Sequence, residues 1–271
     1  MHYGIEVVPF GTYSDPRAVV QVAQAAEAAG WEALGLWDHV LMPYGAGDPW
    51  VALAAVAAAT RRLKLITGVA PLPRYRPHLL ARTLAALDWL SGGRVIFGVG
   101  AGVDFDFAPF GEAREARTRA AMLDEGLPLL AQLLAGETVT HHGPHYHLAQ
   151  VQLVPAAFQK PRPPVWVGGL SRPALRRAAR WEGWIIGTID ENQAVTLPPE
   201  ELAQHLAYLR QHRATTDPFE VAVDGVTASP RDTARVRLYE TAGATWWLEA
   251  VFGSRDTPEA LLARIKAGPP A

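Results

Sequence analysis

Eight short apolar runs alternate with eight helix-forming runs along this 271-residue chain, and that rhythm limits the folds it can adopt. The apolar runs predict strands at residues 5–8, 33–37, 63–70, 95–99, 165–167, 184–186, 219–223 and 246–248. The runs that follow them predict helices at residues 16–29, 49–60, 77–90, 116–134, 172–180, 199–212, 230–242 and 258–266. Strands separated by helices run parallel with right-handed crossovers, and eight such units close a barrel. The alternation therefore predicts the α/β class, with a single (β/α)₈ TIM-barrel domain over residues 1–271.

Residues that start and stop helices support this division of the chain. Asp15 before Pro16 and Asp48 before Pro49 each combine a helix N-cap with a proline in the first turn, and Gly30 suits a helix end. An open, doubly wound sheet is the alternative, with fewer strands and often a glycine-rich turn directly after the first strand. The stretch VPFG at residues 8–11 lacks that turn, which favours the barrel.

Residues 137–164 interrupt the alternation, because they contain four histidines, one tyrosine and five prolines without a helical pattern. We interpret them as an insertion between the fourth and fifth units, a hairpin near the barrel mouth. Tyr146, Leu148 and Phe158 would then contribute to a pocket for a flat or apolar substrate.

The same insertion carries His141, His142, His145 and His147, residues of a type that binds zinc, nickel or copper. A turn at Gly143-Pro144 would leave only His145 and His147 on one face of a strand. We therefore expect no metal site, and a metal-dependent barrel hydrolase that uses these histidines with His39 stays as a rival hypothesis.

Composition excludes several classes of protein. The formal net charge is -2 without a block of like charge, which disfavours nucleic-acid binding. The absence of cysteine excludes disulfides, zinc–thiolate sites and cysteine nucleophiles. The start, MHYGIEVVPF, does not read as a signal peptide, and the most apolar stretch, residues 50–60, is too short to cross a bilayer. We expect a cytoplasmic protein with no membrane or nucleic-acid partner.

The carboxyl ends of barrel strands are where the chemistry of this architecture gathers. Asp38 and His39 follow the second predicted strand, and a histidine oriented by a carboxylate can exchange protons near neutral pH. These two are the candidate catalytic residues, with Asp38 as the group that orients His39. A helix-start aspartate beside a structural histidine is the alternative interpretation.

Small residues follow the third and fourth strands. Thr67, Gly68 and Val69 lie at the rim after the third strand, and glycine permits close approach of a flat ligand. The stretch after the fourth strand contains Gly100 and Gly102, with Asp104 just beyond. A bulge or a tight turn would explain the same residues structurally. We predict that this backbone lies flat against a planar ring.

A phosphate site is predicted after the fifth strand, where Gly168, Gly169, Leu170 and Ser171 lead directly into a helix. Main-chain N–H groups at a helix start and a serine hydroxyl bind anions, and glycines let a phosphate come close. A plain serine N-cap after a glycine turn is the alternative.

Three stretches resemble a known family. They are AEAAGWEALGLWDHVLMP, DPWVALAAVAAATRRLKLITGVAPLPRYRPHLLARTLAALDWLSGGRVIFGVGAG and QKPRPPVWVGGLSRPALRRAARWEGW. The sequence resembles the bacterial luciferase-like monooxygenase superfamily of flavin- and deazaflavin-dependent oxidoreductases, from the first strand to about residue 186.

The resemblance implies a TIM barrel that holds the ring of FMN or of the deazaflavin coenzyme F420 in its mouth. It implies a non-proline cis peptide near Gly68-Val69, a phosphate grip by Gly168, Gly169 and Ser171, and a homodimer. Hydride transfer to or from a small organic substrate would be the reaction, with monooxygenation available to an FMN enzyme. A non-catalytic barrel that only binds a flavin is the other rival.

Two departures argue against the sugar-phosphate dehydrogenase branch of this superfamily. That branch has a tryptophan shortly after the histidine, where this chain has Pro43 or Tyr44. It also has a glutamate after the strand-four glycines, where this chain has Val103 and Asp104. The Asp38-His39 pair still matches the arrangement common in deazaflavin users, which favours that cofactor slightly.

Overall fold

The computed structural model describes residues 1–42, 45–113, 115–190 and 192–270. The strands within these ranges are β1 (His2–Val7), β2 (Ala33–Leu36), β3 (Lys64–Thr67), β4 (Ala70–Pro71), β5 (Val95–Gly100), β6 (Thr138–His142), β7 (His147–Gln152), β8 (Val165–Gly168), β9 (Gly183–Ile186), β10 (Glu220–Gly225) and β11 (Trp246–Val251). The helices are α1 (Pro16–Ala28), α2 (Pro49–Ala59), α3 (Pro77–Ser91), α4 (Asp104–Phe107), α5 (Ala116–Ala135), α6 (Arg172–Ala178), α7 (Pro199–Gln211), α8 (Ala234–Ala242) and α9 (Pro258–Lys266).

The predicted eight-stranded parallel barrel is confirmed. Its wall follows the order β3-β2-β1-β11-β10-β9-β8-β5, and β3 pairs with β5 to close it. The third predicted strand is divided, because β4 follows β3 only after a cis peptide between Gly68 and Val69. β4 continues the wall alongside β5.

The helix starts follow the expected chemistry at most positions. Asp48 accepts a hydrogen bond from the main-chain N–H of Val51 at 2.9 Å, and Pro49 occupies the first turn. The sequence predicts that the seventh helix begins at residue 230, directly after Ser229, and this start is wrong. Ser229 organises a turn instead, accepting from the N–H of Arg231, and α8 begins at Ala234.

The barrel interior has two levels, one filled by apolar side chains and one formed by glycines. A buried cluster fills its middle, formed by Ala33, Ile66, Ile96, Trp166, Ile185, Ala222, Trp246 and Leu248. Every second residue of a strand faces inward, so the same strands bring Gly35, Gly68, Gly98 and Gly168 to the level above. The interior is therefore packed below and open at the carboxyl ends of the strands.

The insertion is a hairpin of β6 and β7 between α5 and β8, as predicted, but it does not lie at the barrel mouth. Its turn is bound to the middle of α5, because Glu125 accepts from the N–H groups of His145 and Tyr146 and lies 2.9 Å from Nε2 of His141. Phe158 packs edge-on against Trp89 of α3. Tyr146, Leu148 and Phe158 do not line the cavity at the barrel mouth that is described below, and their contribution to a substrate pocket stays a prediction.

The hairpin histidines serve contacts within the fold. His142 and His147 lie side by side at the surface, with ring nitrogens 2.9 Å apart. Within the described ranges, no group of three or more histidine or carboxylate side chains is arranged to hold a metal ion. No helix in those ranges has both the length and the hydropathy needed to cross a membrane.

Arg94 anchors the end of α2 to the start of β5. Its guanidinium donates to the carbonyl oxygens of Ala57 at 2.7 Å and Leu63 at 2.8 Å, and to the hydroxyl of Thr60 at 2.9 Å. The last turn of a helix leaves such carbonyls without partners. Arg94 lies at the amino-terminal face of the barrel, so the sequence LDWLSGGR supports stability and not chemistry.

Replacing Arg94 with Ala should therefore lower the free energy of unfolding by about 2–4 kcal/mol, since several buried carbonyls lose a charged donor. Urea unfolding measures the change. Arg82→Ala, at an exposed position of α3, is the matched control and should change stability by less than about 0.5 kcal/mol. Equal effects of the two substitutions would contradict this role for Arg94.

Candidate active site

A cavity of about 140 Å³ opens at the carboxyl ends of the barrel strands. Its lining comes from six barrel strands or the residues just after them: Glu6, Trp37, Gly68, Val69, Gly168, Gly169, Ile185, Ile186, Gly187 and Asp224. Four of these ten residues are glycines, so main-chain atoms form much of the surface. The predicted residues Gly68, Val69, Gly168 and Gly169 are thus brought together.

The flat floor of the cavity depends on close contact between β3 and β5. A Cβ on Gly98 would overlap the carbonyl oxygen of Thr67, and the Thr67 hydroxyl donates to the carbonyl of Gly98 at 2.7 Å. A Cβ on Gly100 would lie only 2.8 Å from the Val69 side chain. The cis peptide expected at Gly68-Val69 is confirmed, and it lies in this floor.

His39 lies beside the mouth in an aromatic setting. Its ring stacks on Phe105 at a centroid distance of 5.6 Å, and the rings of Trp37 and Phe10 lie 5.9 and 6.3 Å away. Burial lowers the pKa of His39, which favours the neutral imidazole. A neutral imidazole carries one donor and one acceptor nitrogen.

The carboxylate beside His39 belongs to Asp106, not to Asp38. Oδ2 of Asp106 lies 3.4 Å from Nδ1 of His39, without hydrogen-bond geometry, and 3.0 Å from the guanidinium of Arg74. Oδ1 accepts from the N–H groups of Val40 and Leu41 at 2.9 and 2.8 Å. Burial acts to raise the pKa of Asp106, but these N–H groups and Arg74 outweigh it and hold the pKa below its usual range.

Asp38 is directed elsewhere, so the prediction that it orients His39 is wrong. Its Oδ2 accepts from the hydroxyl of Tyr75 at 2.6 Å, and that hydroxyl accepts from the indole N–H of Trp50 at 2.9 Å. Burial raises the pKa of Asp38 to about 6. These two hydrogen bonds link the loop after β2 to Trp50 of α2 through Tyr75, which precedes α3. Pro43 and Tyr44, which bear on the departure from the sugar-phosphate branch, lie outside the described residues.

The predicted phosphate grip lies at the edge of the cavity. Gly169 has a φ of 114°, which only glycine adopts readily, and its carbonyl accepts from the indole N–H of Trp184 at 3.0 Å. Leu170 and Ser171 are exposed just outside. The Ser171 hydroxyl accepts from the N–H of Ala174 at 3.4 Å, a long N-cap contact, so it remains accessible to a ligand.

Of the residues predicted after the fourth strand, one contacts the floor of the cavity and two stabilise the neighbouring loop. Gly100 contacts Val69 of the floor, as described above. Gly102 has a φ of 74°, and a Cβ there would overlap the ring of Phe107. The Asp104 carboxylate forms an ion pair with Arg119, whose guanidinium also lies over the Phe107 ring. Gly102 and Asp104 therefore hold the loop and do not line the cavity.

Sequence reasoning missed two carboxyl groups in the cavity. Glu6 on β1 and Asp224 on β10 are both buried. Burial raises the pKa of Asp224 to about 6, and burial together with the charge of Asp224 raises the pKa of Glu6 well above its usual range. The signal was available, because each is an acidic residue inside an apolar strand, in GIEVV and VAVDG.

A larger groove of about 920 Å³ runs between the loop after β10 and α9, on the helix side of the barrel wall. Arg255 and Arg264 face it, but both are bound to the buried carboxylate of Glu249, at 2.7 and 3.8 Å. The candidate site is therefore the smaller cavity, where two buried carboxyl groups and a glycine-rich floor meet, with the imidazole of His39 beside its mouth.

Comparison with known proteins finds a matching family and a relative of similar sequence. The model of a family described as luciferase-like monooxygenase matches residues 4–265. An uncharacterized protein of Mycobacterium tuberculosis (strain H37Rv) is 30% identical over 236 residues, which cover 77% of each chain.

Two solved structures share the fold over almost their whole length. The coenzyme F420-dependent tetrahydromethanopterin reductase from Methanopyrus kandleri has a TM-score of 0.79 and 16% identity, with 98% of each chain covered. The oxygenating constituent of 3,6-diketocamphane monooxygenase from Pseudomonas putida, in complex with FMN, has a TM-score of 0.79 and 15% identity. It covers 98% of this chain and 97% of that one.

Replacing Asp106 with Asn should lower the pKa of His39 further, because the negative charge that favours the imidazolium is removed while Arg74 remains. Titration of the imidazole by NMR measures the shift. Glu112→Gln is the control, since Glu112 binds the same guanidinium at 3.1 Å without facing His39. A pKa of His39 that is unchanged or higher in Asp106→Asn would show that Asp106 does not control it.

Proposed function

The chain belongs to the luciferase-like monooxygenase family, and we propose that it is an oxidoreductase that uses FMN or coenzyme F420. The observation that carries the proposal is the glycine-rich floor at the barrel mouth, with a neutral imidazole beside it. A planar ring suits such a floor, because Gly68 and Gly168 expose main-chain atoms in the cavity and a side chain at either would collide with Glu6 or Val69 of its lining. The substrate is a small organic molecule that shares the mouth with the ring.

The residues around the floor fit the rest of such a cofactor. Gly168, Gly169 and Ser171 would hold its phosphate at the cavity edge, through main-chain N–H groups and the accessible hydroxyl. Leu170 is exposed beside them. When bound, the ring supplies the hydride chemistry, and with FMN it also gives access to oxygen chemistry.

His39 is the residue that we assign to proton transfer. Its burial keeps the imidazole neutral, so one ring nitrogen can accept a proton from a substrate hydroxyl or return it. Asp106 stays ionised through the N–H groups of Val40 and Leu41, and it stabilises the imidazolium that forms. Trp37, Phe10 and Phe105 limit the access of water to the ring of His39.

The choice between the two cofactors stays open. The Methanopyrus reductase uses the deazaflavin and the Pseudomonas oxygenase binds FMN, on the same fold. The argument for the deazaflavin depended on Asp38 beside His39, and Asp38 instead binds Tyr75. Titration of the purified protein with each cofactor, followed by absorbance and fluorescence, decides between them.

Substitution of His39 by Gln tests the proposed proton transfer. Turnover of the loaded protein should fall by about 10²–10⁴, the usual contribution of general acid–base catalysis, while cofactor affinity changes little. His78→Gln, at an exposed position of α3, is the control and should leave turnover unchanged. Cofactor binding without turnover in the wild type would favour the non-catalytic barrel, and loss of activity on metal chelation would favour the hydrolase.

We also propose that α2 lies in a homodimer interface. Its sequence, PWVALAAVAAA, is apolar on every face, a pattern typical of a helix covered on all sides. Val51 is nevertheless 59% exposed, and Leu79 on the neighbouring α3 is 46% exposed. A second copy of this chain is the partner that would cover both helices.

Val51→Lys should therefore convert the protein from dimer to monomer in size-exclusion chromatography with light scattering. A charged side chain buried without a partner costs several kcal/mol, enough to dissociate an ordinary interface. Leu238→Lys on α8 is the matched control, because Leu238 has the same exposed fraction of 59%. A wild type that elutes as a monomer at all concentrations would contradict the proposed dimer.

A further inference from the structure

Glu6 and Asp224 have no role in the proposed chemistry, yet both face the ring cavity. They are 5% and 3% exposed, and they come from β1 and β10, the strands on either side of β11. β11 places Ala250 beside Glu6 in the wall. One strand, β11, therefore lies between the two carboxyl groups, and its residue at this level, Ala250, has a small side chain.

The groups facing the pair provide no positive charge. They are the indole of Trp37 just after β2, Gly68 after β3, and Gly187 and Thr188 after β9, while the phenol of Tyr239 on α8, the nearby titratable group, donates to the carbonyl of Leu197. Within the part of the chain that the structure describes, no arginine, lysine or histidine lines the cavity. Glu6 and Asp224 are therefore unlike Asp106, which binds Arg74.

Two carboxylates in one water-poor cavity repel each other, so such a pair retains a proton to higher pH than either group alone. The hydrogen bonds of the pair favour a proton on Glu6 over one on Asp224. Asp224 accepts from the main-chain N–H of Thr188, which stabilises its ionised form. Glu6 has only the indole of Trp37 acting in that direction, against complete burial. The cavity then presents one O–H donor and one carboxylate acceptor.

We propose that Glu6 and Asp224 share one proton in the ring cavity and select a neutral ring with an imide edge. The carboxylic acid would donate to a ring carbonyl, and the carboxylate would accept from the adjacent ring N–H. An anionic ring would be repelled. The proposal rests on the proposed function, and both candidate cofactors contain this edge.

The test compares ligand affinity with pH in the wild type and in Glu6→Gln. Glutamine keeps a donor and an acceptor but removes the ionisation that would make the pair doubly charged. The dissociation constant of whichever cofactor binds, FMN or coenzyme F420, is measured at intervals from pH 6 to 8. The ratio considered is the dissociation constant of the wild type divided by that of Glu6→Gln, because titration of the ligand itself affects both constants equally and cancels. It should grow by at least about tenfold over this range, because the wild type loses its shared proton.

Glu220→Gln is the control, since Glu220 lies at the other end of β10, bound to Thr245 and Trp246. The dissociation constant of Glu220→Gln should equal that of the wild type at every pH. A ratio for Glu6→Gln that is constant with pH overturns the proposal and leaves the proposed function intact. Failure of the wild type to bind either cofactor overturns both.

The ligand-free protein gives an independent measurement. A carboxyl whose pKa is raised by folding holds its proton more tightly in the folded chain, so stability falls as pH rises from its unfolded value towards its folded one. The urea midpoint of the wild type should therefore fall between pH 4 and 7, and Asp224→Asn should show a smaller fall. Equal pH dependence of the midpoint in wild type and Asp224→Asn would overturn the shared proton.

Discussion

The contact between β3 and β5 at the barrel mouth is the constraint on which the site depends. The carbonyl of Thr67 occupies the space that a side chain at Gly98 would need, and the Thr67 hydroxyl binds the carbonyl of Gly98. Val69 can then pack against the main chain of Gly100 and Gly168. A flat surface results because main-chain atoms from three strands meet where an ordinary barrel has branched side chains.

The charged groups above this floor differ in how their charge is stabilised. Asp106 is held as a carboxylate by two main-chain N–H groups and Arg74, which makes it a fixed negative charge beside His39. Glu6 and Asp224 lie in a cavity that no cationic side chain of the described residues lines, and Asp38 accepts from the hydroxyl of Tyr75. Burial without a counter-charge favours the protonated carboxyl, so one mouth combines a permanent anion with groups able to keep a proton.

Much of the fold could be predicted from the sequence, because strand and helix periods, proline starts and glycine ends are local properties. The eight units and the hairpin after α5 agree with that prediction, whereas the cis peptide at Gly68-Val69 was implied by the family resemblance. The errors arose where a polar side chain formed a hydrogen bond in the fold that the sequence did not predict. Ser229 organises a turn before α8, and Glu125 binds the hairpin to the side of α5. Glu125 is distant in sequence from the hairpin turn that it binds, and a serine such as Ser229 can either cap a helix or organise a turn.

By itself, the sequence determined the barrel, the family and the positions of the glycines, since these follow from spacing along the chain. Only the tertiary structure decided which side chains meet. It placed Asp106, 67 positions further along the chain, beside His39 in place of Asp38, and it brought Glu6 and Asp224, 218 positions apart, into one cavity. The physical reason is closure of the barrel. Closure brings the ends of the first and the late strands together at one mouth, where burial and charge act on groups that sequence separates.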